Sequence, residues 1–175
     1  LTSPVLLLDK LLLRLYDLKV RLPYYSAMNT IGFYVSPGFQ MLDLAGPAAA
    51  FQAANDQLGR PAYRVHVLAA EGGAVTNSLG LATAAAPLDG AVLDTLVVVG
   101  GRIDPALSAG TLSRIVKASN RCRRVASVCT GAFTLAAAGL LDGRRATTHW
   151  RFAARLQREY PSVRVEADRI FCRDG

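Results

Sequence analysis

The chain has 175 residues, 51% of them hydrophobic, and its 20 Lys and Arg outweigh 13 Asp and Glu to give a formal charge of +7. That length and apolar content suit one globular domain with a core of its own, and no internal repeat, low-complexity tract or Pro/Ser linker marks a second one. Three cysteines, Cys122, Cys129 and Cys172, with no CxxC pair, exclude a disulfide framework and a zinc site and fit a reduced, cytoplasmic compartment.

In chain order, residues 1–27 stand apart. The run from Val5 to Leu18 is leucine-rich but interrupted by Asp9, Lys10, Arg14 and Asp17, too short and too charged to cross a bilayer, and it lacks the cleavage site of a signal peptide. With Leu1 in place of Met, and Met28 just ahead of the first clear strand, this stretch reads as an extension from a misassigned start, with the domain proper at residues 28–175. From there β-branched runs alternate with Ala- and Leu-rich segments, the pattern of a mostly parallel sheet with crossover helices. Strands are predicted at 31–35, 63–69, 95–100 and 124–128. TLVVVG in the third is continuously apolar, as a strand buried on both faces requires.

Helices are predicted from Pro47 to Leu58, closed by Gly59, from about Pro105 to Asn120, from Thr130 towards Gly143, and along WRFAARLQREY, where Phe152, Leu156 and Tyr160 share one stripe. The turn signals Gly72-Gly73 and Asn77-Ser78 predict a small antiparallel excursion. Strands near Val163–Val165 and Arg169–Cys172 end the pattern. Asp174-Gly175 is a hairpin dipeptide, so the chain reads as cut before a further strand and helix, with the region around Ile170 a poorly covered edge. The arginines, among them Arg102, Arg114, Arg121, Arg144, Arg151 and Arg158, are scattered, which predicts a solvated surface rather than a DNA-binding stripe.

One segment carries chemistry. RVASVCTGAF sets Cys129 between a buried strand and a helix, where unsatisfied N–H groups and the helix dipole are expected to lower a thiol pKa. The bland alternative is a small buried hydrophobe. Gly131 is expected to permit close helix–strand packing. Gly100-Gly101 ends a strand at the carboxyl edge, where open α/β sheets bind ligands. The N–H groups of Gly101 and Thr130 are candidates for an oxyanion-type donor pair, unless the glycines form only a tight turn. Asp43 falls at the same edge, either beside the thiol or simply as an aspartate in a helical first turn. His149 is the second of two histidines and is either a partner of the cysteine or a structural residue, whereas His66, inside a strand, reads as structural.

The segments IGFYVSPGFQMLDLAGP, TLVVVGG, RVASVCTGAFTLAAAGLLDGRRATTHW and VRVEADRIFCRDG resemble the ThiJ/PfpI, class I glutamine amidotransferase-like superfamily. The resemblance implies a flavodoxin-like three-layer α/β/α sandwich, commonly dimeric, with a reactive elbow cysteine and an acidic side chain against its sulfur. It places site roles on Cys129, Asp43, Thr130 and His149, and ligand contacts on Gly100, Gly101 and Gly131, with no metal and no cofactor. Thr130 stands where protease-like branches often carry histidine, which argues against proteolysis. The LDLAGP and CTG motifs are similar both to isocyanide hydratases and to the amino-terminal domain of AraC-type regulators. PSVRVEADRIFCRDG resembles the latter, implying a small-molecule effector, a homodimer, no membrane, and DNA contact only through a domain absent from this chain.

Overall fold

A computed structural model describes residues 28–103 and 107–175. A six-stranded sheet runs through its centre in the order β3-β4-β2-β1-β5-β6. The strands are β1 (Asn29–Tyr34), β2 (Tyr63–Ala69), β3 (Gly73–Thr76), β4 (Ala82–Pro87), β5 (Thr95–Val98) and β6 (Arg124–Ser127). All ladders are parallel except β3–β4, the antiparallel excursion that the glycine and asparagine turn signals predicted. Helix α1 (Met41–Leu58) crosses from β1 to β2, and α2 (Ala109–Ser119) from β5 to β6. Then follow α3 (Gly131–Ala137), α4 (Ala153–Glu159) and a two-residue pair, β7 (Arg145–Ala146) with β8 (Arg164–Val165).

Period-2 alternation divides β1 between two layers. Ile31, Phe33 and Val35 pack with Leu44, Ala48 and Phe51 of α1, while Tyr34 joins Ile115 and Ala118 of α2 and Leu135 of α3 on the other face. The β1–β2 and β5–β6 crossovers run in opposite directions across the sheet, so their helices cover opposite faces and the result is the expected flavodoxin-like α/β/α sandwich. Its strand order reverses between β1 and β5, which places a crevice at the carboxyl ends of those two strands.

Several elements depart from expectation. Helix α1 begins at Met41 rather than near Pro47, which lies inside it. A proline normally drives the preceding residue out of the helical region because its Cδ meets that residue's Cβ. Here the preceding residue is Gly46, which has no Cβ, so the helix passes through and Asp43 lies in its first turn. Helix α2 starts at Ala109 because Ser108 caps it, its Oγ accepting from the Thr111 N–H; the first part of the predicted span, residues 104–106, lies outside the described residues. Helix α3 stops at Ala137, and left-handed Gly139 turns the chain after it. Arg169–Cys172 forms no strand. Its backbone is held instead by side chains, Thr147 Oγ1 donating to the Arg169 carbonyl and Arg145 to that of Arg173. Strand β6 is an exposed edge rather than a buried strand, with Arg124, Val125 and Ala126 open to solvent. Residues 1–27, read from sequence as an extension, also lie outside the described residues.

Two glycines should respond oppositely to a methyl group. A Cβ on Gly131 would collide with the Val98 carbonyl oxygen, whereas on Gly110 in α2 it would meet nothing closer than Ser108 Oγ at 3.7 Å. Gly131→Ala should cost about 2 kcal/mol or more and lower the thermal midpoint by roughly 4–8 °C. Gly110→Ala should raise stability by about 0.5–1 kcal/mol. Calorimetric melts of the two variants check both signs.

Candidate functional site

Three chain segments meet at the carboxyl edge: the start of α1, the Gly100-Gly101 pair after β5, and the turn after β6. Cys129 occupies that turn with φ +54°, the one non-glycine residue with positive φ among the described residues. A side chain in the left-handed region costs about 1–2 kcal/mol, so the turn must be held from outside. Thr130 does this through its hydroxyl, which accepts from the Gly101 N–H at 2.8 Å and donates to the Gly101 carbonyl at 2.8 Å. Thr148, which sequence reasoning passed over, adds a third tie by donating from Oγ1 to the Cys129 carbonyl at 2.9 Å. It stands beside His149 in the TTHW block, and its type alone gave no signal.

Gly100 lets these parts close. A Cβ there would lie 2.6 Å from Asp43 Oδ2 and 2.9 Å from both Cys129 Cβ and Thr130 N. Those two distances bound the separation of Asp43 Oδ2 from Cys129 Cβ at 5.5 Å. Asp43 Oδ2 is buried and has no hydrogen-bond partner. Gly101 behaves otherwise than the donor-pair reading expects, because its N–H is taken by the Thr130 hydroxyl and its backbone bridges to Phe39. The Thr130 N–H is directed at the Cys129 sulfur. Gly131 faces Val98 and serves packing between α3 and β5 rather than the cleft.

The sulfur's electrostatics oppose the expected direction. Burial raises the Cys129 pKa first, and the negative charge of Asp43 raises it further, while the Thr130 N–H and hydroxyl lower it without prevailing. A seven-residue helix supplies only a short dipole, so the thiol keeps its proton. The negative charge of Asp43 so close to the sulfur works against a second anion there, which disfavours the Cys129 thiolate. Cys122 and Cys172 are also free and also raised by burial, Cys122 donating to the Ala118 carbonyl and Cys172 to Glu166.

His149 lines the same cleft, but its Nδ1 accepts from the Arg151 N–H at 3.2 Å and its ring stacks on Trp150. The groups that act on the thiol are Asp43 and Thr130. The cleft, about 1180 Å³, runs from Cys129 and Asp43 along the outer edge of β6 towards Ile170. Ile170 is fully exposed and Phe171 is 80% exposed. Among the described residues no group of three His, Cys, Asp or Glu side chains is placed to hold a metal, and no helix is long and apolar enough to cross a membrane.

With this geometry in view, the similarity to known proteins is specific. The DJ-1/PfpI family model matches residues 29–175. An uncharacterized protein in the cpoL 5' region of Streptomyces lividans is 46% identical over 135 residues, covering 73% of this chain and 92% of that protein. The HTH-type transcriptional regulator GlxA of Rhizobium meliloti is 36% identical over 155 residues, 85% of this chain and 47% of the regulator. Isonitrile hydratase of Pseudomonas putida is 39% identical over 126 residues, 70% of this chain and 53% of the hydratase. The chain thus spans about half the length of these last two. The crystal structure of a ThiJ/PfpI family protein from Pseudomonas syringae superimposes with a TM-score of 0.71 at 29% identity, over 86% of this chain and 61% of that one.

The two neighbours of the sulfur should move its pKa in opposite directions. Asp43→Asn removes the charge that disfavours the thiolate, so the Cys129 pKa should fall and alkylation near pH 7 should accelerate. Thr130→Val removes a hydroxyl that favours the thiolate, so the pKa should rise. Iodoacetamide labelling from pH 6 to 10, read by mass spectrometry at Cys129, measures both shifts; shifts of the same sign in the two variants would refute this account of the thiol.

Proposed function

We infer function from one premise: this chain belongs to the DJ-1/PfpI family. We propose that it is the effector-sensing, amino-terminal domain of an AraC-type transcriptional regulator, working in the cytoplasm. A small molecule would bind in the crevice at Cys129, and DNA would be contacted by a separate helix-turn-helix domain. The observation that carries this reading is the match to GlxA over 85% of this chain and only 47% of the regulator, the relation expected of one module within a two-module protein. The site supports it chemically. A protonated thiol beside a buried, unpartnered carboxylate oxygen offers a polar recognition point, and its charge state shifts when a ligand donates a hydrogen bond to Asp43.

A second reading, a cysteine-dependent isonitrile hydratase, is favoured by the 39% identity to the P. putida enzyme and by the same pair of residues. In that chemistry water adds to R–N≡C. The oxygen goes to the terminal carbon, one proton to that carbon and one to nitrogen, and the product is an N-substituted formamide. Cys129 would attack the carbon and Asp43 would move the protons.

Cyclohexyl isonitrile separates the readings. The regulator reading expects no formamide above the level given by Cys129→Ala, measured by gas chromatography. Turnover that disappears in Cys129→Ala would overturn it in favour of the hydratase. A further check is the coding frame after Gly175, where about a hundred and fifty more residues carrying two helix-turn-helix units are expected. The chain by itself should bind mixed-sequence duplex DNA only weakly and lose it as salt rises, as scattered arginines do. A sequence-specific complex stable at physiological salt, read by fluorescence anisotropy, would relocate the DNA contacts to this domain.

A further inference from the structure

Two adjacent threonines join the cysteine turn to a distant stretch of the chain. Thr148 donates from Oγ1 to the Cys129 carbonyl at 2.9 Å, and Thr147 donates from Oγ1 to the Arg169 carbonyl at 2.9 Å. Beyond β8, residues 166–174 form no helix or strand and make a strap held largely by side chains. Arg145 N donates to Asp174 Oδ2 at 2.8 Å, the Arg145 side chain to the Arg173 carbonyl at 3.1 Å, and Arg144 to the Asp174 carbonyl at 2.9 Å. Glu166 gathers Arg145 at 3.5 Å, Arg169 at 3.8 Å and the Cys172 thiol at 3.1 Å. The stretch 144–148 therefore bonds to the strap through most of its length and to the cysteine turn through its last residue.

We propose that Thr148 is a positioning residue for the Cys129 thiol and that Thr147 couples it to the strap, so that the two threonines form a relay. The turn is sensitive to such a hold, because a left-handed φ at a residue with a side chain persists only while its neighbours enforce it. Two of its ties run from the Thr130 hydroxyl to Gly101. Thr148 supplies the remaining one, and it grips the carbonyl of the strained residue itself. That carbonyl and the Thr130 N–H belong to one planar peptide unit. By fixing the carbonyl, Thr148 also aims the N–H that points at the sulfur.

Only one peptide separates the two threonines, so a shift of the strap at Arg169 is passed through Thr147 to the bond on Cys129. Each part of this path carries its own thiol. Cys129 lies at one end and Cys172 in the strap at the other, while Cys122 donates to the Ala118 carbonyl of α2 and stands off the path. That the strap carries a signal away from an occupied crevice rests on the effector-sensing reading; the positioning of the thiol does not.

Iodoacetamide labelling of the full chain across pH, followed at all three cysteines by mass spectrometry, tests the relay. Thr148→Val keeps the shape and loses the hydroxyl, so the Thr130 N–H should drift from the sulfur and the Cys129 pKa should rise. Labelling near neutral pH should slow by about threefold, the effect of one net hydrogen bond. Thr148→Ser should restore the profile. Thr147→Val should act in the same direction by less, speed labelling of Cys172, and add nothing at Cys129 once Thr148 is Val. Cys122 should stay unchanged throughout. An unaltered Cys129 profile in Thr148→Val, an equal change at Cys122, no recovery in Thr148→Ser, or additive effects of the two valines overturns the proposal. Asp174→Ala loosens the exposed strap and touches neither threonine. Loss of its negative charge would by itself lower a thiol pKa, whereas the relay requires the Cys129 pKa to rise, and only while Thr147 is present. Should a valine variant unfold, as circular dichroism would reveal, Asp174→Ala decides, and a fall or no change at Cys129 overturns the relay. None of these measurements uses ligand or DNA, so their failure leaves the effector and hydratase readings standing, and failure of those readings leaves the relay.

Discussion

Close backbone approach between the end of β5 and the turn that follows β6 is the constraint from which the site derives. Gly131 lies where any Cβ would strike the Val98 carbonyl, and Gly100 where it would strike Asp43 and Cys129. Removing side-chain bulk at those two points brings three strand ends within hydrogen-bond range of one another. The left-handed φ of Cys129 is then tolerated because neighbouring ties, Thr130 to Gly101 and Thr148 to the Cys129 carbonyl, offset a strain of about 1–2 kcal/mol.

The same closeness sets the chemistry. Compact packing buries the sulfur and brings a carboxylate to it, and both effects favour the protonated thiol over the thiolate. A helix N-terminus alone would act the other way. In this site burial first, and the nearby carboxylate second, outweigh the short helix behind the cysteine, so what Asp43 is bonded to modulates the thiol's state. An oxygen left without a partner is where an incoming donor would be felt most strongly.

Charge organises the rest of the surface at longer range. Arginines are paired or solvated around the β6 edge, as in the Arg123–Asp94 and Arg145–Glu166 pairs, while α1 carries no basic residue and only Asp43 and Asp56, and the β3–β4 hairpin carries no charge. The crevice itself is lined by several of these arginines, among them Arg124, Arg145 and Arg169, and the Phe39–Gly101 bridge joins it to the segment that leads into α1.

The sequence by itself determined the architecture: alternating β-branched and alanine-rich segments, the buried run TLVVVG, and turn glycines at 72 and 73 specify a parallel sheet with an antiparallel excursion. It also singled out Asp43, Gly100, Cys129 and Thr130, because they follow strands and so fall at one edge. Tertiary structure alone decided how they interact. Whether Gly101 offers its N–H to a ligand or to Thr130, whether His149 turns to the sulfur or to its own helix, and whether the thiol is acidified or protected are questions of a few ångströms and of burial, which no spacing encodes. Strand boundaries failed for the same reason. Arg169–Cys172 has strand composition, yet a strand exists only where a partner edge supplies its hydrogen bonds, and side chains hold that segment instead.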